Sequence, residues 1–198
     1  MADRLLKLLT LAWLLAIGAG FCALLKYSGT PGEAGRALSA WPVDSCLVRD
    51  PGRATLVLAV HPRCPCSRAT MDALAQVMAR SHGAATVHVL FCKPAEFPAG
   101  WEKSDLWDCV ALIPGVTAVC DEDGQESEKH GAETSGHAVL YSRRGELLFA
   151  GGITVARGHQ GAGPSFDALI SCVTDGTASD RPWPVFGCPL RNPAGNRP

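Results

Sequence analysis

The stretch HPRCPCSRA, residues 61–69, decides how this chain is read, because it places two cysteines one residue apart between an apolar run and a helical pattern. Before it stands Ala54-Thr55-Leu56-Val57-Leu58-Ala59-Val60, a short continuous run of the kind a buried strand shows. After it, Met71, Leu74, Ala75 and Met78 recur at helical spacing from Ser67 to Ala79. The junction is therefore strand, turn, helix. Cys64 falls at the helix N-cap, Pro65 at the first helical position and Cys66 and Ser67 at the second and third, where proline is tolerated and unpaired backbone N–H groups point back at the cap. Those donors and the positive helix end favour a thiolate, the form of cysteine that attacks disulfides and binds soft metals. His61 and Arg63 bring further positive charge close in sequence.

Working outward, Thr86–Phe91 (TVHVLF) reads as a second strand parallel to the first, with Gly83 ending the intervening helix. Ser104 caps an expected helix through Leu106, Trp107, Val110 and Leu112, which Pro114-Gly115 stops before a third strand at Val116–Cys120. A short polar helix is expected over Gly124–His130. Ala138–Tyr141 and Leu147–Ala150 flank Ser142-Arg143-Arg144-Gly145, which has the length and glycine of a hairpin turn. An amphipathic helix over Ser165–Val173 closes the domain. This order predicts an α/β fold, a three-layer sandwich with a central mixed sheet covered by helices on both faces.

The chain has 198 residues, 47% of them hydrophobic, and a formal charge of -1, enough for one well-cored domain and without the basic excess of a nucleic-acid binder. Leu8–Leu25 is an uncharged apolar run near membrane-spanning length. Arg4 and Lys7 precede it, a bias that puts the N-terminus in the cytoplasm and the remainder across the membrane. Residues 1–27 are thus expected to be a retained anchor, or a cleaved signal peptide; the length of the run favours the anchor. Cys22 follows the bulky Phe21 and reads as a lipid-facing apolar residue. Residues 28–53, rich in proline and glycine without periodicity, read as a spacer, 54–175 as the folded domain and 176–198 as a proline-rich tail.

The element order, with Cys64-Pro65-Cys66 directly after the first buried strand, resembles the thioredoxin superfamily over roughly residues 50–175. Within it the chain is most similar to the membrane-anchored periplasmic members used in thiol-disulfide exchange and cytochrome maturation, and more loosely to RedB-like thioredoxin-domain proteins. The resemblance implies a single-pass protein of the inner or plasma membrane, its domain in the periplasm or exterior, acting on protein thiol and disulfide partners. It calls for no cofactor. Cys64 would attack a substrate disulfide and Cys66 resolve the mixed disulfide, with His61, Pro65, Ser67, Gly136 and His137 docking substrate or supporting the site.

Two departures stand out. The family separates its cysteines by two residues, so Ser67 occupies the place of the usual second cysteine, and a bridge across one residue closes a strained, easily reduced ring. The family's cis-proline is also missing, with Gly136 or His137 in its place. Gly136 there permits close backbone approach of a substrate.

Two other functions use the same residues. In a copper-chaperone-like protein Cys64, Cys66, His137 and His159 would hold the metal, sulfur and imidazole being suited to copper(I). In a non-catalytic binding module the thiols would be incidental. The glycine-rich segment 151–163 lacks a phosphate-loop ending and is expected to lie over the active site with Arg157 and His159. Cys92, Cys109, Cys120 and Cys172 read as core thiols or structural disulfides, and an exported location allows Cys46 to pair with Cys188.

Overall fold

In the computed structural model, which describes residues 2–33 and 35–191, the chain forms five strands and five helices. Helix α1 (Ala2–Ser28) is long and apolar enough to cross a membrane and buries no residue against the domain. The alternation begins with β1 (Ala54–Val60), α2 (Pro65–Arg80) and β2 (Ala85–Lys93). It continues through α3 (Asp105–Ala111), β3 (Val116–Glu122) and α4 (Gln125–Lys129), and ends in the hairpin β4 (His137–Tyr141) and β5 (Leu147–Gly152) followed by α5 (Pro164–Asp175). The sheet order is β3-β2-β1-β4-β5, with β1, β2 and β3 mutually parallel and β4 and β5 antiparallel.

Side-chain alternation along each strand splits the sheet into two faces. Leu56, Leu58 and Val60 of β1, Val87, Val89 and Phe91 of β2, and Ala138 and Leu140 of β4 share one cluster with Leu74 and Val77 of α2, Val110 of α3, and Phe166 and Leu169 of α5. One face therefore carries three helices. The other face has α4, and Ala59 of β1 meets Cys92, Ala132 and the tail residue Leu190 there.

Residues 28–53, expected as a spacer, complete that second face. Trp41 sets its ring edge-on to His130 and Tyr141 at centroid distances of 5.0 and 5.3 Å, and Ala40 bridges Glu146 beyond the end of the hairpin. Asp50 accepts a hydrogen bond from Thr86 Oγ1 at 2.6 Å. Gly35 lies so close to the Gly131 carbonyl that a Cβ there would come within 1.9 Å of its oxygen. The composition is that of a linker, but a sheet face with Tyr141 on it needs an apolar cover, and this segment supplies it.

The tail is also part of the body. Ser179 and Trp183 donate backbone hydrogen bonds to Leu148 and Ala150 of β5, at 2.7 and 2.9 Å, so the tail runs along the outer edge of the sheet. Residues 192–198 of the expected tail lie outside the described residues. Cys92 and Cys172 are buried as expected of core thiols, whereas Cys109 and Cys120 are exposed; all nine cysteines are unbridged.

A chain beginning at residue 30 is expected to unfold cooperatively. One beginning at residue 54 should lose at least about 3 kcal/mol, the cost of exposing Tyr141 and its neighbours, or fail to fold. Urea unfolding of the two chains side by side measures this, and equal midpoints would remove residues 30–53 from the stable core.

Candidate active site

Cys64 occupies the N-cap of α2 with extended backbone angles (φ -92°, ψ 124°), and Pro65 takes the first helical position. The extended cap and the proline follow from one another, because proline disfavours helical geometry in the residue before it. The turn is held from below. Ser67 Oγ donates to the His61 carbonyl at 2.9 Å and lies 2.9 Å from Ser135 Oγ, while the His61 N–H donates to Ser135 Oγ at 2.9 Å. Ser67, at the position where the sequence resemblance implied a second cysteine, is thus a buried strut.

The Cys64 side chain is 5% exposed. Burial raises its pKa, but a hydrogen bond with the Cys188 thiol and the backbone N–H groups of Cys66, Ser67 and Cys188 outweigh that, and the net shift is downward. Cys66 moves the other way: burial, then the charge and hydrogen bonding of Cys64, push its thiol up, with Arg157 and the Gly158 backbone acting against the rise. The two cysteines of the motif are thereby differentiated, Cys64 as the more acidic thiol and Cys66 as the less acidic one.

Sequence reasoning did not place Cys188 here. Its Sγ lies 3.1 Å from Cys64 Sγ, whereas Cys46, the partner considered for it, donates its backbone N–H to Glu126 at 3.3 Å. Cys188 is delivered by the tail: its carbonyl accepts the Ser135 N–H at 2.8 Å, Pro189 bridges Thr134, and Leu190 donates to the Glu133 carbonyl at 2.9 Å. The residue before it must be glycine, since a Cβ at Gly187 would stand 1.9 Å from the Ser135 carbonyl oxygen. The triplet Gly187-Cys188-Pro189 was the available signal, a close-approach residue beside a thiol.

Gly136, rather than His137, takes the loop position before β4. It adopts φ +92° and donates its N–H to the Ala59 carbonyl at 2.7 Å. The segment that approaches this loop is the chain's own tail. His137 lies inside β4, 3% exposed, with Nδ1 unpartnered. It lines a cavity of about 330 Å3 bounded by Ala37, Phe149, Trp183 and Val185, and none of the three thiols lines it.

The glycine-rich segment does reach the site. Arg157 donates through Nη1 to the Gly187 carbonyl, and its backbone N–H donates to the Ser28 carbonyl at the end of α1 at 3.0 Å. His159 is exposed on the same loop. The set Cys64, Cys66, His137 and His159 is not assembled, because His137 is locked in the sheet. Among the described residues no group of three or more His, Cys, Asp or Glu is arranged to hold a metal ion. On the opposite rim, His61 sets its ring edge-on to Trp101 at 5.9 Å, and the Arg63 guanidinium lies 5.0 Å over the same indole. Burial, then the charge of Arg63, lowers the His61 pKa.

No family model and no curated protein matches the chain. Among solved structures, a hypothetical protein of Sinorhizobium meliloti superposes with a TM-score of 0.60 at 22% identity, over 84% of this chain and 96% of that one. An uncharacterized conserved protein from Geobacillus kaustophilus gives 0.59 at 14% identity, over 84% and 95%. A secreted disulfide oxidoreductase of Mycobacterium tuberculosis gives 0.42 at 20% identity, over 63% and 82%. At these identities the likeness is one of fold alone. The fold is thioredoxin-like.

The buried histidines make stability depend on pH. Burial lowers His137 to about 4, and His130, buried beside Glu126, also to about 4. An unfolded histidine takes its proton near pH 6.5, so each contribution is complete above that pH and is lost as pH falls from 6.5 towards 4, on the order of 3 kcal/mol per histidine. Urea midpoints at pH 7.5 and pH 5 should differ accordingly. His137→Leu is expected to shrink the difference by roughly half, and an unchanged difference would acquit His137.

Proposed function

We propose that this protein is a membrane-anchored thiol-disulfide oxidoreductase acting on protein disulfides, with Cys64 as the attacking thiol. The observation that carries this reading is the placement of the Cys64 sulfur at the N-cap of α2, where backbone N–H groups and a neighbouring thiol favour its ionised form. Attack of that sulfur on a substrate disulfide forms a mixed disulfide and releases one substrate thiolate. A second thiol of the chain then attacks Cys64 Sγ, releases the other substrate thiolate and leaves an intramolecular disulfide; the motif offers Cys66 for this step. The same steps run backwards deliver a disulfide to a dithiol substrate.

Helix α1 supplies the anchor, and Arg4 and Lys7 before it favour an orientation with the domain in the periplasm or exterior, a compartment where thiol-disulfide chemistry on client proteins operates.

The full chain in detergent micelles is expected to catalyse reduction of a disulfide-linked two-chain protein by a dithiol, read as precipitation of the freed chain. Cys64→Ser should reduce the rate to background. Cys64→Ser with the wild-type rate would sink the proposal. Alkylation of Cys64 by iodoacetamide should also persist to lower pH than alkylation of an ordinary thiol.

A further inference from the structure

Cys66 is poorly placed to close on Cys64. The Cys66 thiol is hydrogen-bonded to Cys64, but a bond across one intervening residue closes a strained ring and would pull Cys66 out of the first turn of α2, which begins at Pro65. Cys188 meets neither obstacle. Its sulfur is already 3.1 Å from Cys64 Sγ, and about 1 Å of approach completes a bond.

The tail that brings it is stitched on both sides of the thiol. Gly152 donates to the Pro184 carbonyl and Gly32 to the Val185 carbonyl upstream, at 3.3 and 2.7 Å, while Arg191 reaches the Gly124 carbonyl and Glu133 downstream, each at 2.7 Å. Leu190 is buried with Ala59, Cys92 and Ala132. An incidental thiol on a loose terminus would need none of this. The structure also pairs the tail backbone with Thr134 and Ser135, beside the loop of Gly136 where an incoming peptide was expected to dock.

We infer that Cys188 is the resolving thiol for Cys64, so that the catalytic disulfide of this protein joins the start of α2 to the C-terminal tail. This rests on the oxidoreductase reading and deepens it. With Cys64 only 5% exposed, the tail segment lifts to admit substrate and returns to resolve it. Cys64 thiolate attacks the substrate disulfide, the Cys64–substrate bond forms, and the first substrate sulfur leaves as thiolate and takes a proton from solvent. Cys188 then gives up its proton to solvent, its thiolate attacks Cys64 Sγ, the Cys64–substrate bond breaks, and the second substrate sulfur leaves. The substrate has gained two electrons and the chain has lost two, held as the Cys64–Cys188 bond; a dithiol protein returns them by exchange.

The charges order these steps. At rest burial, and then the hydrogen bond and negative charge of Cys64, push the Cys188 thiol up to about 12, so it stays protonated beside Cys64. Once Cys64 is bound to substrate its charge is gone, and the influence of Arg157, which lowers the Cys188 pKa, is left less opposed. Arg157 is a positioning residue: it holds the Gly187 carbonyl and favours the Cys188 thiolate.

The test is single turnover of the full chain in micelles with a peptide disulfide, followed by acid trapping and mapping of linked peptides by mass spectrometry. Wild type and Cys66→Ser are both expected to end with Cys64 linked to Cys188. Cys188→Ser should stop with the substrate peptide on Cys64, its release slowed by about tenfold or more. Gly187→Ala keeps the thiol but drives a Cβ onto the Ser135 carbonyl, and should slow formation of the Cys64–Cys188 bond without slowing the mixed disulfide. Arg157→Gln should do likewise, with a larger deficit at lower pH. A Cys64–Cys66 bond in wild type, with Cys188→Ser resolving at the wild-type rate, would overturn the inference and leave the oxidoreductase reading standing. Absence of any mixed disulfide on Cys64 in all variants would overturn both.

Discussion

Cys64 has to be at once the end of the turn that leaves a buried strand and the residue that caps a helix, and the site is organised around that double constraint. The strand brings the sulfur to the carboxyl end of the sheet; the helix start supplies N–H groups that lower the pKa of the sulfur. Proline at the next position is compatible with both, since it lacks the N–H that a first helical residue leaves unpaired and holds the cap extended. Ser67 and Ser135 then fix the turn against the loop before β4, so the sulfur sits where two independent parts of the fold agree to put it.

What the helices do on one face, irregular chain does on the other. Residues 35–50, α4 and the tail cover the second face with few regular elements and many specific contacts, among them the Trp41–His130–Tyr141 cluster and the Ser45–Glu126–His130 group. Glu126 is held to about 2: burial opposes ionisation, but hydrogen bonds from Ser45, Lys129 and Cys46 overcome it. His130 beside it stays neutral because its ring is wholly enclosed. Buried polar groups of this kind favour one arrangement of the cover over its neighbours, since a shifted register would strand them.

This division explains what could be read from the amino acids. The β1–turn–α2 junction was legible because its signals are local: an apolar run, a proline at the first helical position, a repeat of apolar residues at helical spacing. The hairpin and the parallel pairing of β1, β2 and β3 follow from the same patterns and from crossover length. Residues 28–53 misled because a cover made of single anchoring side chains has no period, and glycine and proline there serve close approach rather than slack, as the packing of Gly35 on Gly131 shows. The triplet Gly187-Cys188-Pro189 signals a close approach but not its partner, and for a different reason. Its partner lies 124 residues earlier, and nothing within the tail itself encodes which sheet edge the tail will follow.

The join between α1 and the domain sets a working height. Ser28, the last residue of the helix, accepts a hydrogen bond from Arg157, Tyr27 lies under the Arg157 guanidinium, and Gly32 is already bonded to the tail. Only residues 29–31 separate the end of the helix from the folded body, a leash of roughly 10 to 15 Å even when pulled straight. With α1 in lipid, the three thiols work close above the bilayer surface, because Arg157 touches both the helix end and the tail beside Cys188. On the proposed reading such a protein would search in two dimensions and select its clients by altitude: a disulfide carried near the membrane would come within range, while one on a tall ectodomain would pass overhead.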